Sequence, residues 1–81
     1  MGGKILAKAF ILVNVEIGAD IEVLNDLGLI PEIIEAHRVY GVYDIIAIVE
    51  TSTMQRFKDV VGFKIRSLDR VHSTMTMIVV W

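Results

Sequence analysis

The sequence predicts an α+β fold whose elements follow the order β-α-β-β-α-β. Four stretches rich in β-branched and apolar residues predict strands, two stretches with apolar residues at helical spacing predict helices, and glycines interrupt the pattern between elements. This is the ferredoxin-like, split β-α-β order. Because crossover connections are right-handed, both helices should lie on one face of a four-stranded antiparallel sheet.

The first strand is predicted over residues 4–15. Every odd-numbered residue from Ile5 onwards is apolar, and the even-numbered face is mostly apolar, with Lys8 as a charged residue within it. A strand that is apolar on both faces is typically covered on both. Gly18 interrupts the strand pattern, residues 19–27 have helical spacing, and Gly28 is placed to end that helix.

A hairpin is predicted over residues 32–51. Residues 32–40 alternate as in a strand, and residues 44–51 contain the apolar run Ile-Ile-Ala-Ile-Val. Gly41 lies between them and can adopt the backbone angles of a tight turn. We therefore expect the second and third strands to be antiparallel neighbours.

The second helix and the last strand complete the pattern. Ser52 or Thr53 can cap a helix whose apolar residues recur at three- and four-residue intervals from Met54 onwards. Gly62 lies inside this helix, where a glycine costs about 1 kcal/mol relative to alanine. The last strand is predicted over residues 71–81.

Composition limits the functions that the chain can have. Its 81 residues form a single predicted domain, residues 1–81, and carry a net charge of −2, which makes nucleic acid an unsuitable direct partner. There is no cysteine, and His37 and His72 are far apart in the sequence, so we expect no metal and no cofactor. The longest stretch without a charged residue is too short to span a membrane, and we expect a cytoplasmic protein.

The hydrophobic content is high for so small a domain. It reaches 54%, with a mean hydropathy of +0.61. A domain of this size gains little stability from its own core, and neither disulfides nor metals are expected to support it. The sheet face opposite the helices is apolar in the first and third strands. We therefore predict that two chains form a dimer by packing these faces together.

Asp44 is the most informative polar residue because aspartate is unfavourable in strands. Two interpretations stay open: its carboxylate accepts hydrogen bonds from turn amides, or it binds a ligand ammonium while turn N–H groups bind the ligand carboxylate. An α-amino acid carries both of these charges. Thr74 and Thr76 share one face of the last strand, where their hydroxyls could contribute to a site or simply reflect β-propensity.

No catalytic constellation is evident. The two histidines and Asp44 do not converge by any pattern, and there is no phosphate-binding glycine motif. The sequence therefore predicts that the chain is not an enzyme. Met54 at the start of the second helix is compatible with ordinary core packing.

Residues 35–50 resemble the strand–G-x-Y-D–strand segment of the Lrp/AsnC regulators, in the effector-binding domain called RAM (regulation of amino acid metabolism). Residues 9–15 followed by Gly18, residues 30–33 and residues 73–80 are also similar, so the resemblance covers nearly the whole chain. Because the chain begins at the first strand of that domain, it resembles the stand-alone form without a helix-turn-helix.

The resemblance implies a ferredoxin-like dimer that assembles further, commonly into an octamer, and binds an amino acid between dimers. It implies a ligand-binding site that consists of Val39, Gly41, Val42, Tyr43, Asp44, Met54, Thr74 and Thr76. It also implies a role in the regulation of transcription, through association with full-length Lrp/AsnC regulators and without direct DNA binding. The sequence departs from the family at Asp69-Arg70, where Pro-Gly is frequent, and at Arg38, where an apolar residue is expected.

Two other functions are compatible with the same fold. One is a purely structural oligomerisation module that binds no small ligand. The other is a small dimeric ferredoxin-like barrel enzyme, which would need an acid–base residue inside a roomy pocket. Binding of a small molecule distinguishes the amino-acid sensor from the structural module.

Overall fold

The fold is seen in a computed structural model that describes residues 7–80. The predicted element order is confirmed. Residues 4–6 of the first predicted strand, and Trp81 of the last, lie outside the described residues. The elements are β1 (Ala7–Val15), α1 (Asp20–Leu27), β2 (Ile33–Arg38), β3 (Ile45–Thr51), α2 (Met54–Asp59), a π-helical turn (Val60–Lys64) and β4 (Val71–Ile78).

The four strands form one antiparallel sheet in the order β2-β3-β1-β4. In its centre Ile11 of β1 is paired with Ala47 of β3 on one side and with Thr76 of β4 on the other. The edges of the sheet are therefore β2 and β4. Residues 7–80 contain no helix that is both long enough and apolar enough to cross a membrane.

One face of the sheet packs against both helices. Alternate residues of β1 and β3 are buried there, in the alternation predicted for these strands. The helices contribute the other large side chains of the same core. The core contains, among others, Ile11, Val13, Ile45 and Val49 from the sheet and Val23, Leu27, Phe57, Val60 and Ile65 from the helical side.

The opposite face of the sheet is apolar and only half-buried. We call it the open face, and it comprises Phe10, Leu12, Ile46, Ile48, Met75 and Met77, which the strand register places side by side. Met75 and Met77 each remain 47% exposed. The expectation that β1 is apolar on both faces is therefore confirmed, whereas the helices of the chain cover only one of them.

The predicted alternation of β2 is wrong at its start. The strand covers Ile33–Arg38 rather than residues 32–40, and its pairing with β3 shifts between Ile33 and Glu35. This irregularity lets Ile33 pack against the core while Ile34 is 49% exposed. A bulge changes which residues share a face, and strict alternation cannot predict it.

The second helix also departs from a single regular helix. Its α-helical part ends at Asp59, and a π-helical turn follows that contains Gly62. In this turn the N–H of Ile65 donates to the carbonyl of Val60 over 3.0 Å. The wider turn brings the buried side chains of Val60 and Ile65, five residues apart, to the same face of the helix.

Gly28 ends α1 as predicted, but without the left-handed conformation that favours glycine there. Its φ is −64°, and the chain continues through two tight turns. In these turns the N–H groups of Leu29 and Ile30 donate to the carbonyls of Asp26 and Leu27, each over 3.1 Å. A Cβ atom at this position would lie 3.3 Å from the carbonyl oxygen of Asn25, which is a tight contact.

Glu32 and Arg56 join the start of β2 to the second helix. The Nε of Arg56 donates to Oε2 of Glu32 over 3.0 Å, and this bond is the main reason that the pKa of Glu32 lies below its usual value. The backbone is joined at the same place, because the N–H of Glu50 donates to the carbonyl of Glu32 over 3.0 Å. These contacts hold the edge strand against β3 and α2.

The structure distinguishes between the two predicted caps of the second helix. The side-chain oxygen of Thr53 accepts the backbone N–H of Arg56 over 3.1 Å. We expect Thr53→Ala to lower the free energy of unfolding by about 1 kcal/mol, because one N–H at the helix start loses its acceptor. The adjacent Ser52→Ala serves as the matched control and should change stability by less than about 0.5 kcal/mol. Urea unfolding of both variants measures the difference, and equal losses would contradict the assignment.

Candidate functional site

Asp44 joins the β2–β3 hairpin to the end of β1. Its carboxylate oxygen Oδ2 accepts the N–H of Val15 over 2.9 Å. Its backbone N–H donates to the carbonyl of Val13, and its carbonyl accepts the N–H of Val39, both over 2.9 Å. One aspartate therefore ties two loops together, and half of its carboxylate is engaged in doing so.

Two glycines shape the loops on either side of this aspartate. Gly41 in the hairpin has a φ of +134°, and Gly18 after β1 has a φ of +85°. Both angles lie where side chains with a Cβ atom are strained, so the two turns depend on glycine. The sequence break at Gly18 and the predicted turn at Gly41 are thus confirmed as sharp turns at the same end of the sheet.

A pocket of about 480 Å³ lies between these two loops. Its walls come from the end of β1, the segment that leads into α1, and the end of β2. The lining residues are Val15, Glu16, Ile17, Gly18, Asp20, Arg38, Val39, Tyr40 and Asp44. The volume is within the range of small-molecule sites.

The pocket combines negative and positive groups. Three of its lining residues are acidic, and Arg38 is the one basic lining residue. The Nη1 atom of Arg38 donates to Oδ2 of Asp20 over 3.0 Å, and this hydrogen bond holds the pKa of Asp20 below its usual value. Both side chains of the pair remain partly exposed, so a solute can reach their charged groups.

Two of the predicted ligand residues line this pocket, Val39 and Asp44. Gly41, Val42 and Tyr43 belong to the hairpin turn but not to the pocket lining. Tyr43 points towards the open face, where its hydroxyl lies 3.8 Å from the sulfur of Met75. The hairpin therefore places Val39 and Asp44 in the pocket and Tyr43 beside the open face.

The other predicted ligand residues lie elsewhere in the chain. Thr74 and Thr76 lie on β4, where they are paired with Val13 and Ile11 of β1. Met54 begins α2 beyond the far end of β3, and the seven residues of β3 span roughly 23 Å. A single chain therefore does not bring Met54 into the pocket beside Asp44.

Sequence reasoning missed most of the wall that β1 and α1 provide. Arg38 was identified only as a departure from the family pattern, and it now lies opposite Asp20 in the pocket. The sequence patterns did not predict Glu16, Ile17 or Tyr40 as site residues. Each of them is exposed and lies just before Gly18 or Gly41. Among residues 7–80 no group of three or more histidine, aspartate or glutamate side chains is arranged to hold a metal ion.

Comparison with known proteins identifies the family. The model of the Lrp/AsnC ligand-binding domain matches residues 8–80. The HTH-type transcriptional regulator FL11 of Pyrococcus furiosus is 38% identical over 82 residues, which cover 98% of this chain and 50% of that regulator. The FL11 of Pyrococcus horikoshii is also 38% identical. The chain spans about half the length of these curated relatives.

Solved structures agree with this assignment. The crystal structure of FFRP-DM1 is 39% identical and superimposes with a TM-score of 0.89, covering 93% of this chain and all of that one. The transcriptional regulator NMB0573 of Neisseria meningitidis, determined in complex with L-Met, has the same fold at 19% identity, with a TM-score of 0.82 over 94% of this chain and 51% of that one. The matching relatives are transcription regulators, and theirs is not an enzyme family. The chain therefore belongs to the Lrp/AsnC ligand-binding domain family.

Proposed function

We propose that the chain is an amino-acid-binding and oligomerisation module that modulates the transcription of genes of amino-acid metabolism. It acts by associating with full-length regulators of its own family and does not itself bind DNA. Family membership supports the regulatory role. The observation that carries the ligand proposal is the pocket that places Arg38 and Asp20 beside Asp44.

The pocket has the groups that a zwitterion needs. Arg38 offers a guanidinium that can bind a carboxylate in a bidentate manner. Asp20 and Asp44 offer carboxylates to an ammonium group, and Oδ2 of Asp44 already accepts one backbone N–H. The apolar lining residues Val39 and Ile17 leave room for a side chain. The complex of the Neisseria meningitidis regulator with L-Met supports an amino acid as the ligand class, since that protein has the same fold.

The open face provides the second half of the proposal. Its six apolar side chains form one contiguous surface, whereas single exposed apolar residues are common on any protein. Contiguous apolar surfaces are characteristic of contact sites. We propose that a second copy packs its open face against it, with the two sheets face to face. Further assembly of dimers, as in an octamer, would bring residues such as Met54 and Thr76 of a neighbouring copy towards the pocket.

The same surface supports association with full-length regulators. These relatives contain a domain that matches nearly this entire chain, so an open face like this one is expected in them as well. A mixed assembly would place both kinds of subunit around the same ligand. The ligand transmits a signal only if it binds one assembly more tightly than another.

Titration with each of the twenty amino acids should raise the thermal unfolding midpoint for one of them or for a few related ones. A ligand that binds only the folded protein adds about 2.7 kcal/mol at a hundredfold excess over its dissociation constant. Asp44→Asn keeps an oxygen for the N–H of Val15 but removes the charge, and should weaken binding about tenfold or more.

Glu35→Gln is the matched control, because Glu35 is an exposed carboxylate of β2 that does not line the pocket. It should leave the response unchanged. A flat response of the wild-type protein to the whole panel would contradict amino-acid binding and favour a structural module. An unchanged response in Asp44→Asn would limit that residue to shaping the hairpin.

Leu12→Lys places a charge in the middle of the open face and should reduce the molar mass measured by light scattering to that of a smaller assembly. Ser52→Lys adds the same side chain in an exposed loop and should not change the mass. A circular dichroism spectrum checks that both variants are folded. The proposed dimer would be refuted by a folded Leu12→Lys variant with the wild-type mass.

A further inference from the structure

The pocket between the two loops has an excess of negative charge. Glu16, Asp20 and Asp44 contribute three carboxylates to its lining, whereas Arg38 is the one basic side chain there. Three negative charges against one positive charge give the lining a net charge of −2. The α-ammonium and α-carboxylate of an amino acid cancel each other and leave this excess unchanged. The excess therefore distinguishes amino acids by the charge of their side chains.

Ion pairs within the chain do not remove this excess. The guanidinium of Arg38 is paired with Asp20, with 3.0 Å between Nη1 and Oδ2. Asp44 forms no salt bridge with any basic side chain of residues 7–80. Its Oδ2 atom accepts the N–H of Val15, and its other oxygen accepts no hydrogen bond from the same residues. Asp44 therefore retains a carboxylate oxygen for a cationic group of a ligand.

Glu16 shares its basic partner with a second carboxylate. The Nη1 atom of Arg70 lies 3.5 Å from Oε2 of Glu16 and 4.0 Å from Oε1 of Glu22. Both distances are longer than those of a strong charge-assisted hydrogen bond, and one guanidinium does not balance two carboxylates. The side chain of Glu16 is 51% exposed, so a second cation can reach it.

Asp44 and Glu16 are anchored on opposite sides of the end of β1. Asp44 directly precedes β3, and its N–H donates to the carbonyl of Val13. The N–H of Glu16 donates instead to the carbonyl of Arg70, directly before β4, over 2.8 Å. β3 and β4 flank β1 in the sheet, where neighbouring strands are about 4.8 Å apart. A ligand that pairs with both carboxylates therefore needs two cationic groups separated by a chain.

We propose, on the basis of the proposed function, that the pocket prefers an α-amino acid with a cationic side chain, the chemical class of lysine, ornithine and arginine. Arg38 binds the α-carboxylate through N–H groups that Asp20 does not use, since a guanidinium has five of them. Asp44 accepts from the α-ammonium, and Glu16 pairs with the side-chain cation. Such a ligand carries one net positive charge and reduces the negative excess of the lining.

The rest of the lining favours the same ligand class. Tyr40 is fully exposed and lines the pocket, and the face of an aromatic ring attracts a cation. Val39 and Ile17 offer apolar surface to the methylene groups of a long side chain. Further assembly would bring uncharged residues of a neighbouring copy towards the pocket, such as Met54 and Thr76. These residues would not neutralise the carboxylates.

Calorimetric titration of the wild-type chain near pH 7 with three matched probes tests this preference. Lysine carries all three charged groups, norleucine lacks only the side-chain ammonium, and cadaverine lacks only the carboxylate. Lysine should bind about fivefold or more tightly than either of the others, because each of them loses one ion pair in a partly exposed site. Norleucine binding as tight as that of lysine overturns the proposal.

Glu16→Gln tests the partner of the side-chain cation. It keeps the size of the residue but removes its charge, so the preference for lysine over norleucine should disappear while norleucine binding stays unchanged. Glu22→Gln is the matched control, because Glu22 has the same partner, Arg70, but does not line the pocket. It should keep the wild-type preference. A preference that survives in Glu16→Gln, or is lost equally in both variants, refutes the role of Glu16.

The same titrations separate this preference from the proposed function. If a neutral or acidic amino acid binds more tightly than lysine, ornithine and arginine, the chain still binds amino acids and only the preference is refuted. Cadaverine binding as tight as that of lysine would refute the role of Arg38, and with it an amino acid as the ligand. If none of the twenty amino acids binds, both proposals are refuted.

Discussion

The central position of β1 is the constraint on which the rest of the structure depends. This strand is paired on both sides and apolar on both faces, so it needs cover above and below the sheet. The two helices cover one face, in a core that includes Ile11 and Val13. The opposite face, with Phe10 and Leu12, is left half-exposed. This imbalance supports the proposal that a second copy covers the open face.

The candidate site depends on the same strand, because the pocket lies where β1 ends. Asp44 accepts the N–H of Val15 and thereby holds the hairpin beside the turn at Gly18. The two interpretations of Asp44 are therefore not exclusive: one carboxylate oxygen ties the loops together, while the residue also lines the same pocket as Arg38. One side chain can both fix a loop and bind a ligand when that loop forms a wall of the binding site.

Much of this fold could be predicted from the sequence, because the periodicity of β1 and β3 and the turn at Gly41 are local signals. The bulge at Ile33 and the π-helical turn at Gly62 could not, since each is a response of the backbone to packing against other elements. The same distinction applies to the site. The hairpin residues were identified by a motif, whereas the pairing of Arg38 with Asp20 joins positions 18 residues apart and appears only after folding.

The most direct test of this account is a crystal structure of the chain with the amino acid that stabilises it most. We expect the ligand in the pocket between the two loops, with its ammonium group within about 3.2 Å of a carboxylate oxygen of Asp44 or Asp20. Its carboxylate should lie beside the guanidinium of Arg38. A ligand bound on another surface, with the pocket unchanged and Asp44 bonded only to Val15, would contradict the account.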